Sequence, residues 1–199
     1  TTTTTVAPLV YNVGDTGPSG GIIFYKDLTR AVGSQYFEVA CEGWSDGACG
    51  GSDLRDPLVK WGCSGNFLPG ADGTAIGTGE QNTTDIRAGC PTLGIAARLA
   101  YDLVLGGQSD WFLPSPDELT ALCRWAFNAP SIRDLSTGDC NDFGTGPLRR
   151  LNSIMDEAYY WSSFEMTYPY RALVQGFDKG ARQWGDRDDR DYVHPIRSF

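Results

Sequence analysis

The stretch SPDELTALCRWAF, residues 115–127, specifies a helix without help from the rest of the chain. Ser115 is a natural N-cap, Pro116 takes the first helical position, where its missing N–H costs nothing, and Glu118 completes a capping box. Leu119, Leu122 and Cys123 then fall on one face and are expected in the core. Upstream, GIAARLAYDLVLGG (94–107) reads as a second helix, with Ile95, Leu99, Leu103 and Tyr101 in partial helical register before a Gly-Gly stop. A short helix is also expected within GEQNTTDIRAGC (79–90).

Strands flank these helices on both sides. GIIFY (21–25) is a short apolar run, QYFEVA (35–40) alternates, and VKWGC (59–63) reads as a short strand ending in Cys63. The Gly-, Asp- and Ser-rich CEGWSDGACGGSDLRDP (41–57) is a loop, as is the region 134–147. Three more strands follow: AYYWSS (158–163), RALVQGF (171–177) and YVHPIRSF (192–199). Strands, helices and strands again indicate an α+β fold with a mainly antiparallel sheet, two or three helices and long loops. Residues 1–10 open with TTTTTVAP and read as the end of a stalk or linker, with any export signal further upstream. Residues 11–199 then form one domain, long enough to bury a core of its own.

A formal charge of −9 and a pI near 4.5 argue against nucleic acid, heparin-like polyanions and anionic membranes as general partners, which the long-range field would repel. No apolar run is long enough to span a bilayer. The six cysteines form no CxxC pair and the single histidine is His194, so a zinc site has little support. An even count in an acidic, Gly-rich chain fits disulfides and an oxidising compartment. Six cysteines allow fifteen pairings, and proximity along the chain favours Cys41–Cys49, Cys63–Cys90 and Cys123–Cys140.

Enzymatic chemistry finds few footholds. A Ser-His-Asp triad would need His194, which sits in an expected strand beside Pro195, and no serine has nucleophile-elbow context. Phosphate-binding loops are absent, and no spacing singles out a pair of carboxylates for glycoside hydrolysis. The segment RQWGDRDDRD (182–191) offers Asp186, Asp188, Asp189 and Asp191 as calcium ligands, but it lacks the EF-hand pattern, and its interleaved arginines would neutralise the acids without metal.

Aromatic residues are the most informative signal that remains. YYWSSFEMTYPY (159–170) crowds rings into a strand and the loop after it, and one of Tyr160 and Trp161 must be buried. Phe164, Met166, Tyr168 and Tyr170 fall where turn residues imply a loop, and Trp184 sits in a charged loop. Large apolar groups on loops gain little from folding unless they meet something else. Tyr, Trp and Arg dominate binding interfaces, so two such loops look like a paratope.

Several segments, in order, resemble a known family: VGDTGPSGGIIFY, YFEVA, WGC, TAIGTGEQNT, AGC, DLVLGGQSDWFLPSPDEL, YWSS, QGFDKG and YVHPIRSF. They look like the bacterial domain family related to the C-terminal domain of the Legionella collagen-like adhesin, known as DUF1566. The resemblance implies a C-type-lectin-like fold whose first and last strands pair, displayed on a bacterial cell surface or a phage-like particle as the C-terminal module of a larger protein. It implies contacts from the late loops: Phe164, Met166, Tyr168, Tyr170, Arg171, Gln183, Trp184, Asp186, Arg187, Asp188 and Arg190. Some relatives of this fold are variable proteins of diversity-generating retroelements, and the C-terminal segment here has the place and shape of such a variable region. Two departures stand out. His194 replaces an arginine usual in the family ending, and the loops around Cys41–Cys49 and Cys123–Cys140 look like stapled insertions. The adhesin's preference for sulfated polysaccharide is not expected at a charge of −9. The expected function is therefore a non-enzymatic adhesin- or receptor-type domain for a protein or glycan ligand on another surface, without nucleic acid, membrane insertion or cofactor. The alternatives are a calcium-dependent lectin and an enzyme resembling the formylglycine-generating branch of the fold, which needs a reactive cysteine pair.

Overall fold

The structure is a computed structural model that describes residues 9–50, 55–127, 140, 159–177 and 180–199. The threonine run, most of the 134–147 loop and Ala158 lie outside the described residues. The chain is mixed α+β, with eight strands and three α-helices among the described residues, and every extended ladder is antiparallel.

Two sheets organise the molecule. In the smaller, β1 (Ile22–Lys26) pairs with β2 (Tyr36–Val39), which pairs with β8 (Ile196–Ser198). The last strand therefore joins the second, and β2 stands between it and the first. The start of the described chain still meets its end, because Tyr11 packs edge-on against Phe199 at 5.5 Å. In the larger sheet the order is β3 (Leu58–Val59), β7 (Asp191–Tyr192), β4 (Tyr159–Glu165), β5 (Arg171–Gly176) and β6 (Arg182–Asp186), with β4 and β7 joined by one parallel bridge.

The ending expected as a single strand divides between the sheets. Residues 191–192 belong to the large sheet and 196–198 to the small one. Pro195 has no N–H to give a ladder, and His194 is tied across the break. One of its ring nitrogens lies 2.8 Å from Asp56 and the other 3.1 Å from the Ala40 carbonyl. Asp56 also accepts from Trp44 Nε1 at 2.7 Å and from the Tyr160 hydroxyl at 3.0 Å, so this carboxylate is the hub of a buried polar knot between the sheets.

Helix α3 (Pro116–Ala126) forms as its sequence dictates. The Ser115 hydroxyl accepts from Glu118 N, Glu118 Oε2 accepts from Ser115 N at 2.7 Å, and Leu119, Leu122 and Cys123 are fully buried. Helix α1 (Gly79–Gly89) also forms. Helix α2 is shorter than expected, Ala96–Tyr101: Ile95 and Leu103 are buried as expected but flank it, its own buried residues are Ala96, Ala97 and Ala100, and Tyr101 is exposed. Small side chains let this helix lie close to Trp61 and Ile86 in the core. VKWGC contributes only Val59 to the two-residue β3, because Trp61 turns inward and Gly62 and Cys63 adopt positive φ. Tyr160 and Trp161 are both buried.

Three disulfides close: Cys41–Cys49, Cys63–Cys90 and Cys123–Cys140. They fit an oxidising, extracellular setting. No helix among the described residues is long and apolar enough to cross a membrane.

Candidate functional site

Strand β6 is the outer edge of the large sheet, and it carries the segment RQWGDRDDRD on from strand into turn. The first half of that segment is thus not loop. Its register on β5 pairs Leu173 with Trp184, Val174 with Gln183 and Gln175 with Arg182. Strand alternation puts Arg182, Trp184 and Asp186 on one face and Gln183 and Gly185 on the other. Arg182 reaches α3, donating to Asp117 at 2.6 Å and to Thr120 at 3.1 Å. Trp184 lies further along the same face and keeps 48% of its surface exposed. Gly185 faces inward, where a Cβ would stand 2.8 Å from the Trp161 ring, so only glycine fits.

The aromatic residues of the β4–β5 connection take different places. Phe164 lies within β4, partly buried, and is not in a loop as its neighbours suggested. Met166 is also partly buried, whereas Tyr168 and Tyr170 are 56% and 48% exposed and pack on each other at 5.2 Å. Arg171 opens β5 with an exposed side chain. Gln183, Asp186, Asp188 and Arg190 are exposed.

Arg187 is a correction. Expected as a contact, it is wholly buried, paired with Glu165, donating to the Asn66 carbonyl at 2.9 Å and stacked 4.2 Å above the Trp61 ring. Glu165 also accepts from Leu68 N, at 2.7 Å. Spacing alone gave Arg187 and Arg190 equal claims. The pairing with Glu165, 22 residues away, separates them.

The expected self-neutralisation of the segment also fails. Arg182 goes to Asp117, Arg187 to Glu165, and Arg190 to the Leu58 carbonyl at 3.1 Å. Asp188 pairs with Lys60 at 3.0 Å, and that bond holds its carboxyl below the usual range. Asp186 Oδ1 accepts from Asp188 N within the turn. Asp189 and Asp191 have no cationic partner among the described residues. Burial, reinforced by the nearby Asp189 charge, pushes Asp191 up to about 6. The four aspartates named as calcium ligands are not gathered at one point, and no group of three or more His, Cys, Asp or Glu converges among the described residues.

A cleft of about 170 Å³ opens at this edge, lined by Tyr159, Val174, Gln183, Trp184, Gly185, Asp189 and Asp191. Gln183 Nε2 donates to the Tyr159 hydroxyl at 3.0 Å across it. Sequence reasoning missed Tyr159 here, since its strand reads as scaffold, and it treated Asp189 and Asp191 only as metal ligands. A larger apolar groove of about 630 Å³ lies where Leu9, Val10, Leu28, Val32 and Tyr36 meet Phe199. His194, the only histidine, is buried. Desolvation opposes its protonation, but the Asp56 carboxylate outweighs that and raises the ring above its ordinary value. Ser45 and Asp56 border one cleft with Tyr192, but among the described residues no serine hydrogen-bonds the imidazole. All six cysteines are in disulfides and none is free.

Compared with known family models and with curated protein sequences, the chain matches none.

Proposed function

We propose that this chain is a non-enzymatic ligand-binding domain of the adhesin or receptor type, working outside the cell on a bacterial surface or particle. In this reading its C-type-lectin-like frame presents the β6 edge and the adjoining turns to a protein or glycan ligand. One observation carries the reading. Trp44, Trp61, Trp111 and Trp161 are buried, while Trp184, Tyr168 and Tyr170 each leave about half their surface in water near the end of the chain. Aromatic residues held out on a well-packed sheet cost solubility and return little to folding, whereas at an interface they supply large contact area with few rotors to freeze.

The same pattern supports a segment able to vary in sequence. Gln183, Trp184, Asp186, Asp188 and Arg190 are exposed and can change at little cost to the core, while Gly185 and Arg187 cannot. If this is the variable region of a diversity-generating retroelement, substitutions will crowd on the first set and spare the second. Sequencing the neighbouring DNA tests that, and the idea fails if no near-copy of the segment lies beside a reverse transcriptase gene.

The binding reading is tested by applying the intact domain and its Trp184→Ala/Tyr170→Ala double variant to a glycan array and a protein array. Ligand capture lost in the variant, with an unchanged thermal melt, is the expected result. Capture that survives both substitutions would place the binding surface elsewhere. Capture that depends on calcium, and is abolished by EDTA, would favour the lectin alternative.

A further inference from the structure

The cleft at the β6 edge has a shape, a lining and a sign that together name what enters it. Resting on the ligand-binding reading above, we infer that it receives a single cationic side chain, the guanidinium of an arginine or the ammonium of a lysine, from a polypeptide ligand.

Size comes first. At about 170 Å³ the cleft is smaller than the ~300 Å³ at which pockets begin to take whole small molecules. It suits one extended side chain, with the remainder of the ligand lying along the exposed edge of the sheet. The lining comes next. Tyr159 borders the opening on the face that carries Gln183 and Gly185, while Trp184 meets it only at the strand itself, with its ring on the other face. Val174 forms an apolar floor, and the Gln183 amide is fixed by the Tyr159 hydroxyl at 3.0 Å. An aromatic border with an apolar floor accepts the methylene stem of a long basic side chain, and an aromatic face attracts its head.

Charge decides between a basic and a neutral occupant. Every arginine within the segment is drawn away: Arg182 to α3, Arg187 into the core, and Arg190 to a backbone carbonyl of β3. Lys60 is taken by Asp188. Asp189 and Asp191 are left lining the cleft, with no cation of their own among the described residues. Partial burial of Asp191 makes an unpaired negative charge there costly, and an entering cation relieves that cost. A neutral sugar would leave both carboxylates unpaired. The overall charge of −9 draws a basic ligand inward as well.

The test uses the intact, disulfide-bonded chain and two capped amino acids, N-acetyl-arginine amide and its neutral isostere N-acetyl-citrulline amide. Binding is followed by NMR at the backbone amides of residues 183–191 and at the Trp184 indole N–H, identified by its absence in Trp184→Phe. The arginine compound is expected to shift these resonances saturably, with the citrulline compound binding roughly tenfold more weakly, as expected for loss of a cation beside carboxylates and an aromatic ring. Asp191→Asn, alone and with Asp189→Asn, should bring the arginine affinity down to the citrulline level while leaving the rest of the spectrum in place. Equal binding of the two compounds, or no shift by arginine, overturns the inference. An array ligand that still depends on Trp184 and Tyr170 would then leave the ligand-binding reading standing, with a neutral or acidic determinant in the cleft. Loss of both results would remove the two together.

Discussion

Replacing Arg187 by methionine keeps the aliphatic stem against Trp61 and removes only the guanidinium. That group is completely buried, so nothing from solvent takes its place. Glu165, 2% exposed in its side chain, keeps the Leu68 N–H at 2.7 Å but loses its only cation among the described residues. The Asn66 carbonyl loses a donor at 2.9 Å as well. Breaking a buried ion pair from one side strands the surviving charge and costs about 3–5 kcal/mol, against a total stability of about 5–15 kcal/mol for a domain. At about 2–4 °C per kcal/mol for a chain of this size, the melting temperature falls by roughly 6–20 °C. Urea unfolding followed by tryptophan fluorescence, with the disulfides intact, measures this. Lys60→Met, which breaks the exposed pair with Asp188, serves as the control and should leave the midpoint where it was. A loss of less than about 1 kcal/mol for Arg187→Met, smaller than any single lost hydrogen bond to a charge would cost, refutes the assignment of Arg187 to the core and returns it to the ligand surface.

Four further outcomes are expected. Trp184→Ala should change stability little, since half the ring is already in water, and differential scanning calorimetry checks this alongside the binding arrays. Gly185→Ala pushes a methyl against the Trp161 ring at 2.8 Å, and overpacking of that kind costs about 1–3 kcal/mol by the same urea assay. His194 is held above its ordinary pKa by Asp56, so its contribution is fully present below about pH 6.5 and is lost as pH rises through the folded value. His194→Gln should therefore flatten the fall in stability on the alkaline side of neutrality, and an unchanged pH profile would remove the ion-pair account. Cys63→Ala/Cys90→Ala opens a bridge across 27 residues and should cost about 3–4 kcal/mol by loop entropy, read from the urea midpoint.

Local signals in the sequence carried a good part of the fold. The capping box of Ser115 and Glu118, the turn-bounded strand GIIFY and the cysteine pairs act over short separations, where capping, alternation and loop closure leave little freedom. The exposed rings of Tyr168, Tyr170 and Trp184 were legible for the same reason: an apolar residue among turn or charged neighbours has no local core to enter. The length of α2 and the division of YVHPIRSF between two sheets were not legible. The first depends on how closely Trp61 and Ile86 approach, and the second on an acceptor, Asp56, that lies 138 residues from His194.

The segment RQWGDRDDRD shows where the boundary falls. By itself the sequence determined its composition: an aromatic ring among charges of both signs, near the end of an acidic chain. Only the tertiary structure decided which charge meets which partner. The three arginines find acceptors on α3, β4 and β3, and Asp189 and Asp191 are left facing an open cleft. Pairing of long charged side chains is set by distance in space and by desolvation, and neither is encoded in the spacing of residues along a strand.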